Sequence, residues 1–344
     1  MHKQLAVEIA EKLAQVGLYK RGERMKECGN TLQFERCADC GKIMIKSARL
    51  CRDRLCPTCN WRLSLKRYAG MSRVMQALFQ AYPEYTYSLV TLTAKNCDSK
   101  ELGMYMSEMQ TAYNRCISQR WAREELKGWA RSIEVTYNTV TKQLHPHYHI
   151  ILACPLETTS HRLVAEWLRQ CAKRGIVVSS KAQDVSMICE NHEAGETLAG
   201  AICEVYKYAI KSNDLSQMDA GTLLNLAKQL NGKRLISSGG LIKKYMALLE
   251  ISDLDEAGDE ENDIEMCTRC GSIELDKLVA TWSMQGGRYN IKTFAEDERA
   301  KSVVEMLNEH VETVQKEVKK SIADGHFTVH RLQKEIAKKV GESK

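Results

Sequence analysis

Leu144-His145-Pro146-His147-Tyr148-His149-Ile150-Ile151-Leu152 places three of the chain's nine histidines in one alternating run. Side chains two apart on a β-strand share a face, so His145, His147 and His149 would present their imidazoles together. Two or three imidazoles on one rigid face make a divalent-metal site, whereas a single histidine there is more often structural. With no thiolate in the set, the site suits Mg2+ or Mn2+ as well as the zinc that the intrinsic affinity order favours. An ion so held would polarise a phosphate oxygen. Pro146 fits an edge strand or a strand start, and Ile150–Leu152 would bury the far end of the strand.

A second group lies in Glu204-Val205-Tyr206-Lys207-Tyr208-Ala209-Ile210-Lys211. The spacing of Leu198, Ala201, Ile202, Val205 and Ala209 predicts an amphipathic helix over 192–211. On such a helix Glu204 and Tyr208 are i,i+4 neighbours and Lys211 is i+3 from Tyr208, so the three share a face, while Tyr206 falls elsewhere. A tyrosine hydroxyl can attack a phosphodiester where a metal stabilises the developing charge, leaving a phosphotyrosine link. Glu204 would then serve as general base for a second nucleophile, water, and Lys211 would neutralise the transferring phosphate. A tyrosine on an amphipathic helix is ordinarily packing; the histidine strand upstream is what favours chemistry here.

Cysteines supply a third group. Cys37-Ala-Asp-Cys40 and Cys56-Pro-Thr-Cys59 form two C-x2-C knuckles fifteen residues apart. Together they can complete a tetrahedral S4 shell for structural zinc, a closed site with no open position for catalysis. Cys28 and Cys51 are substitutes for one ligand, each without the paired spacing. Arg49, Arg52, Arg54, Arg62, Lys66 and Arg67 stud this module and suit DNA phosphates. Cys267-Thr-Arg-Cys270 is a lone pair that needs two more ligands; free thiols are its plainer reading.

These groups need a scaffold. Residues 1–17 and 71–81 have helical spacing, Tyr82-Pro83 ends the latter, and 28–67 has the look of a small metal-organised module. Strands are expected at 86–95, 130–141, 144–153 and 182–188, with helices at 99–126, 159–173 and 192–211. The order β-α-β-β-α-β-α implies an α+β domain, a central antiparallel sheet with flanking helices. Residues 253–265 carry eight acidic side chains and no basic one, the pattern of an exposed linker. The charged tail from about 294 has Val304, Leu307, Val311, Val314 and Val318 at three- and four-residue spacing. That pattern fits packing on its own domain or a coiled-coil seam for self-association. The implied organisation is 1–75 basic with the cysteine module, 76–252 catalytic, 253–293 linker and Cys-x-x-Cys, and 294–344 tail.

Composition narrows the class further. The 344 residues are 44% apolar and 27% charged, values of a globular protein. No apolar run reaches the roughly 20 residues of a membrane span, and early acidic residues argue against a secretory signal. A cytoplasmic protein without a membrane partner is expected. Net charge is +6, but residues 1–75 alone carry 16 Lys/Arg against 7 Asp/Glu. A basic front end on a nearly neutral body suits a polyanion partner.

In order, these motifs resemble the plasmid rolling-circle replication initiators of the HUH endonuclease superfamily. The first motif matches at Leu89-Val-Thr-Leu-Thr-Ala-Lys-Asn96, the second at His147-Tyr-His-Ile-Ile-Leu152, with His145 extending it, and the third at Glu204-x-x-x-Tyr208-x-x-Lys211. Arg234–Tyr245 resembles the family's end-of-domain pattern, and the likeness covers about 34–250. It implies an origin-nicking enzyme that keeps the 5′ phosphate on its tyrosine while the 3′-OH primes synthesis. It also implies a glutamate for hydrolytic termination, a host helicase and polymerase as partners, and a sheet with the histidines central. Two other enzyme classes share the chemistry. An HUH-type transposase usually has its two tyrosines about four residues apart, and a relaxase normally has its tyrosine before the histidines. A zinc-dependent DNA-binding regulator is the non-catalytic alternative, and it leaves Glu204 and Tyr208 unexplained.

Overall fold

The fold is taken from a computed structural model, which describes residues 2–189, 196–207, 209–251, 260–262 and 264–293. The first third runs α1 (His2–Gln15), α2 (Tyr19–Glu27), β1 (Thr31–Cys37), β2 (Ile43–Ala48), α3 (Pro57–Ala81) and β3 (Thr86–Thr93). Then follow α4 (Leu102–Ile117), α5 (Arg120–Glu125), β4 (Gly128–Tyr137), β5 (Leu144–Cys154), α6 (Thr158–Ala172), β6 (Asp184–Cys189), β7 (Glu196–Thr197) and α7 (Leu198–Tyr206). The last elements are α8 (Ser212–Gln217), α9 (Ala220–Gln229), β8 (Ile236–Gly239), α10 (Gly240–Leu248), β9 (Glu260–Glu261), β10 (Leu275–Ser283) and β11 (Arg288–Thr293). None of the described helices is long and apolar enough to cross a membrane.

The chain divides into two units. One comprises Met1–Glu11, Tyr19–Cys59 and Ala257–Lys344, the other Lys12–Leu18 and Asn60–Glu256. The first is built on an antiparallel sheet of order β11-β10-β1-β2-β9. β1 sits near its centre, paired to β2 on one side and to β10 on the other. The segment expected to be only a linker with a Cys-x-x-Cys therefore supplies strands to the N-terminal module. Leu278 and Ala280 on β10 are buried while Lys277 and Thr281 are exposed, an alternation too short and too polar to stand out in sequence. The charged tail from 294 lies outside the described residues.

The second unit carries a six-stranded mixed sheet of order β7-β6-β3-β5-β4-β8, antiparallel except for the parallel β6–β7 edge. Helices pack on both faces, as the α+β expectation requires. Its first strands and helices follow the expected order, although the long helix expected at 99–126 is broken into α4 and α5. β5 lies between β3 and β4 and is buried nearly end to end. On one face Ile151 and Ala153 join Met71, Val74, Met75 and Leu78 of α3 and Ala201, Ile202, Val205 and Tyr206 of α7 in one apolar cluster. On the other face Tyr148 meets Tyr113 of α4 and Trp167 of α6 at ring-centroid distances of 5.7 and 5.9 Å. Fully burying Ile150, Ile151 and Leu152 contributes about 1.5–3 kcal/mol each, which fixes the strand that carries the histidines.

The edge-strand reading of Pro146 is corrected by this topology. β3 pairing with β5 ends at Thr93↔His147, and the next contact on that side is the isolated bridge Cys97↔Leu144. Pro146 falls in the gap between them, where its missing N–H interrupts no ladder bond, so a central strand accommodates it.

Candidate active site and metal centres

Glu134 on β4 is the register partner of His147 on β5, and Ser132 is that of His149. His147 and His149 project from the β5 face covered by α7, one residue pair along from Ile151. Glu134 Oε2 lies 3.1 Å from His147 Nε2 and 3.0 Å from His149 Nε2. All three side chains are buried, and their ligand atoms lie within 4.8 Å of one another.

Backbone and neighbouring side chains fix the imidazoles. His147 Nδ1 is 3.2 Å from the His145 carbonyl, an acceptor only, so Nδ1 carries a proton there and Nε2 is the nitrogen turned to Glu134. His149 Nδ1 is 3.3 Å from Thr91 Oγ1, and burial lowers the pKa of this ring, against a raising hydrogen bond to Glu134. Two imidazole nitrogens and a carboxylate oxygen converge on one point, and bonds at the far ring nitrogens are the usual support of metal-ligating histidines. Glu134 Oε1 is buried and has no hydrogen-bond partner among the described residues. The residues present therefore fit a divalent ion.

His145 departs from the expected set. It shares the face, with its ring 5.2 Å from that of His147, but its Nδ1 is held 2.8 Å from Asn96 Oδ1. Glu134, and not His145, groups with His147 and His149 in a set that could hold a metal ion. The signal for it was the hairpin itself: a carboxylate in the strand before the histidine strand, at a register that only the turn length sets.

The Tyr helix is shorter than expected. Thr197 caps the start of α7, its side chain accepting from Gly200 N at 3.1 Å, and the helix ends at Tyr206, with Lys207 in extended conformation. Lys207 turns to set its Nζ 2.9 Å from Glu134 Oε2 and against Glu204 Oε2. Two residues on, the Ala209 carbonyl accepts from Val135 N at 2.7 Å. Pairing with β4 thus competes with the helix and ends it, so the i,i+4 face of Glu204, Tyr208 and Lys211 is not formed by continuous helix. Tyr208 lies outside the described residues. Tyr206 is buried in the core cluster, which removes it from a solvent-facing role. Glu204 Oε2 is 3.8 Å from His149 Nε2, and Lys211, now the residue before α8, has Nζ 3.8 Å from Glu134 Oε1.

Charge explains why the group coheres. Burial opposes ionisation of Glu134, but hydrogen bonds from His147 and His149 and the Lys207 ammonium outweigh it and hold the carboxyl well below the usual carboxylate range. Burial likewise opposes charge on Lys207, and Glu134 and Glu204 overcome it, raising the ammonium's pKa. Lys207 was not singled out from sequence because a lysine between two tyrosines reads as a solvated position.

The cysteines are regrouped. Cys37 and Cys40 do not join Cys56 and Cys59; the ligand atoms of Cys28, Cys51, Cys56 and Cys59 form one cluster and those of Cys37, Cys40, Cys267 and Cys270 another. Spacing favoured the two visible C-x2-C pairs, but β1 and β2 carry the first knuckle away from the second. In the first cluster Cys28 Sγ and Cys51 Sγ lie 3.4 and 3.6 Å from Cys59 Sγ. Cys56 precedes Pro57 at the start of α3, the position proline favours at a helix start. Asp53 braces the turn, accepting from Leu55 N at 2.9 Å and from Arg21. Hydrogen bonding with Cys28, Cys51 and Cys59, then burial, pushes the Cys56 thiol well above its ordinary range.

The basic side chains divide. Arg49, Arg52 and Lys66 are exposed and Arg54 and Arg62 half-buried. Arg67 is 6% exposed, so its inclusion among phosphate-facing residues is corrected: α3 packs it inward.

An α+β sheet carries a buried Glu–His–His group, and two four-cysteine clusters lie elsewhere in the chain, each a set that could hold a metal ion. Residues 42–290 match the model of the replication protein family, and the chain belongs to that family of plasmid replication proteins. It is similar to a Protein rep of Streptococcus pneumoniae serotype 2, 29% identical over 302 residues that cover 84% of this chain and 90% of that one. A Protein rep of Lentilactobacillus hilgardii is 27% identical over 79% of this chain and 88% of its own. A replication protein of Staphylococcus aureus is 27% identical over 66% of this chain and all of its own. No solved structure matches the chain.

Proposed function

We propose that the chain is a rolling-circle initiator of the HUH endonuclease type, a cytoplasmic enzyme that binds a plasmid double-strand origin and nicks one strand. The observation that carries this reading is the buried Glu134–His147–His149 group, with Lys207 held against Glu134 and the Ala209 carbonyl accepting from Val135 N, next to Glu134 on β4. The burial of Tyr206 supports Tyr208 as the nucleophile.

Glu134, His147 and His149 would hold Mg2+ or Mn2+, which supplies charge stabilisation at the scissile phosphate. Tyr208 gives up its hydroxyl proton and attacks phosphorus; the Tyr oxygen–phosphorus bond forms, the bond to the 3′ oxygen breaks, and that oxygen takes up a proton to become the 3′-OH that primes synthesis. The 5′ phosphate stays on the protein. Lys211 faces the transferring phosphate, and Lys207 fixes Glu134 and Glu204. Glu204, beside His149 and partly exposed, accepts a proton from water in the terminating step. The arginines of the N-terminal region track phosphates, zinc at Cys28, Cys51, Cys56 and Cys59 holds that surface, and a host helicase and polymerase extend the product.

Supercoiled origin DNA incubated with protein and Mg2+ or Mn2+ tests this reading. Relaxed circles with a protein–DNA adduct support it. Gel retardation without cleavage would favour the non-catalytic regulator, and cleavage at transposon ends in place of an origin would favour the transposase.

A further inference from the structure

The segment around Cys267 and Cys270 is unused by the proposed nicking chemistry, and its local structure repeats that around Cys37 and Cys40. Both are Cys-x-x-Cys-Gly turns. In each the glycine nitrogen donates to the first cysteine's carbonyl, Gly41 to Cys37 at 3.0 Å and Gly271 to Cys267 at 2.8 Å. In each the first cysteine's nitrogen donates to the residue after the glycine, Cys37 to Lys42 at 2.9 Å and Cys267 to Ser272 at 2.7 Å. Gly41 and Gly271 have φ of +69° and +76°, left-handed values that favour glycine.

The two turns face each other. Cys37 Sγ is 3.5 Å from Cys270 Sγ, and Cys40 Sγ is 3.5 Å from Cys267 Sγ. A tetrahedral zinc with bonds of about 2.3 Å places its sulfurs about 3.8 Å apart, close to this spacing. Ala38 N donates to the Glu274 carbonyl at 3.0 Å and Lys42 Nζ to Thr268 Oγ1 at 2.6 Å, so each turn also holds the other's flank. Arg269 N points at Cys267 Sγ, 3.4 Å away, as a backbone donor to a thiolate does.

We infer that Cys37, Cys40, Cys267 and Cys270 form a second, separate zinc site that clasps the start of the chain's first sheet to strands contributed more than two hundred residues later. The clasp sits where Cys37, the last residue of β1, pairs with Leu275, the first of β10. It therefore fixes the register of the β1–β10 pairing and makes residues 264–293 an integral part of the N-terminal module. This inference does not rest on the nicking reading and survives its failure.

Alkylation of the native full-length protein, mapped by mass spectrometry, tests it on the wild-type chain. Cys270 is exposed and would react at once as a free thiol. The zinc-loaded protein should leave Cys270 unmodified, and a chelator should make Cys37, Cys40, Cys267 and Cys270 reactive. Immediate alkylation of Cys270 before chelation would overturn the site. So would thiols that stay unreactive after chelation until a reductant is added, because that marks disulfides. Cobalt substitution gives a second readout specific to thiolate ligands: the thiolate-to-cobalt absorption should saturate at two ions per chain. In the Cys267→Ser/Cys270→Ser variant it should saturate at one. Saturation at one ion in the wild-type chain would overturn the inference even if that variant failed to fold.

Discussion

Glu134 and His147 stand opposite each other on adjacent strands, with carboxylate Oε2 3.1 Å from imidazole Nε2. Cross-strand partners have their Cβ atoms only about 4.5–5.5 Å apart, so a short acidic chain and a ring meet without either leaving its strand. His149, two residues on, reaches the same oxygen. The centre is thus set by sheet register, the least deformable geometry the fold offers.

Replacement of the ligands should therefore separate Glu134 from His145. Glu134→Gln, His147→Ala and His149→Ala should each weaken Mn2+ binding by more than the about 10–100-fold typical of outer-shell partners. His145→Ala should weaken it by no more than about tenfold, since its ring nitrogen bonds Asn96. Calorimetric titration with Mn2+ measures both, and a His145 effect equal to that of His147 would restore the three-histidine set.

Glu204→Ala should still nick origin DNA but release it poorly, because water is no longer activated. Gel assays of the covalent adduct over time would show accumulation. Normal release would remove Glu204 from the role of base.

Acidification should destabilise the metal-free protein through two groups of the same sign. Glu134 ionises in the folded state well below the ordinary range. Its contribution is thus present above the unfolded carboxyl value of about 4.3 and is lost as pH falls toward the folded one. His149 is lowered by burial, so the unfolded chain binds the proton more readily and stability declines as pH drops below about 6.5. Thermal midpoints of chelated protein should fall between pH 7 and 5 (the range in which His149 acts), with a shallower slope for His149→Gln. Identical slopes would show that His149 is not buried as a neutral ring.

Much of this was legible in residues alone, and the limits have physical causes. The alternating histidines identified β5 because strand periodicity is local. Its central position followed from the family resemblance and not from the residues alone, since Pro146 marks an edge only where the neighbouring strand extends past it. Glu134 needed the register of the hairpin, and Lys207 needed the end of α7, which pairing with β4 dictates more than helix propensity does. Cys37 with Cys40 announced a metal knuckle, but its partners lie 227 and 233 residues away. No spacing rule reaches across such a separation. Cys28 and Cys51, unpaired in sequence, complete the other cluster.

Zinc removal should divide the activities. Cys59→Ser or chelation should weaken duplex origin binding by about tenfold or more while cleavage of a short single strand falls less, because Glu134, His147 and His149 belong to the other unit. Parallel filter-binding and oligonucleotide-cleavage assays compare them. Equal losses would mean that the cysteine module supports the catalytic fold itself.

The central claim is that Tyr208 becomes esterified to DNA. Mass spectrometry of the peptide linked to a suicide oligonucleotide, after reaction with Mn2+, reads the attachment site. The account predicts the nucleotide on Tyr208, with no adduct from Tyr208→Phe and a nearly normal yield from Tyr206→Phe. A nucleotide on Tyr206, or an adduct that persists in Tyr208→Phe, would contradict it.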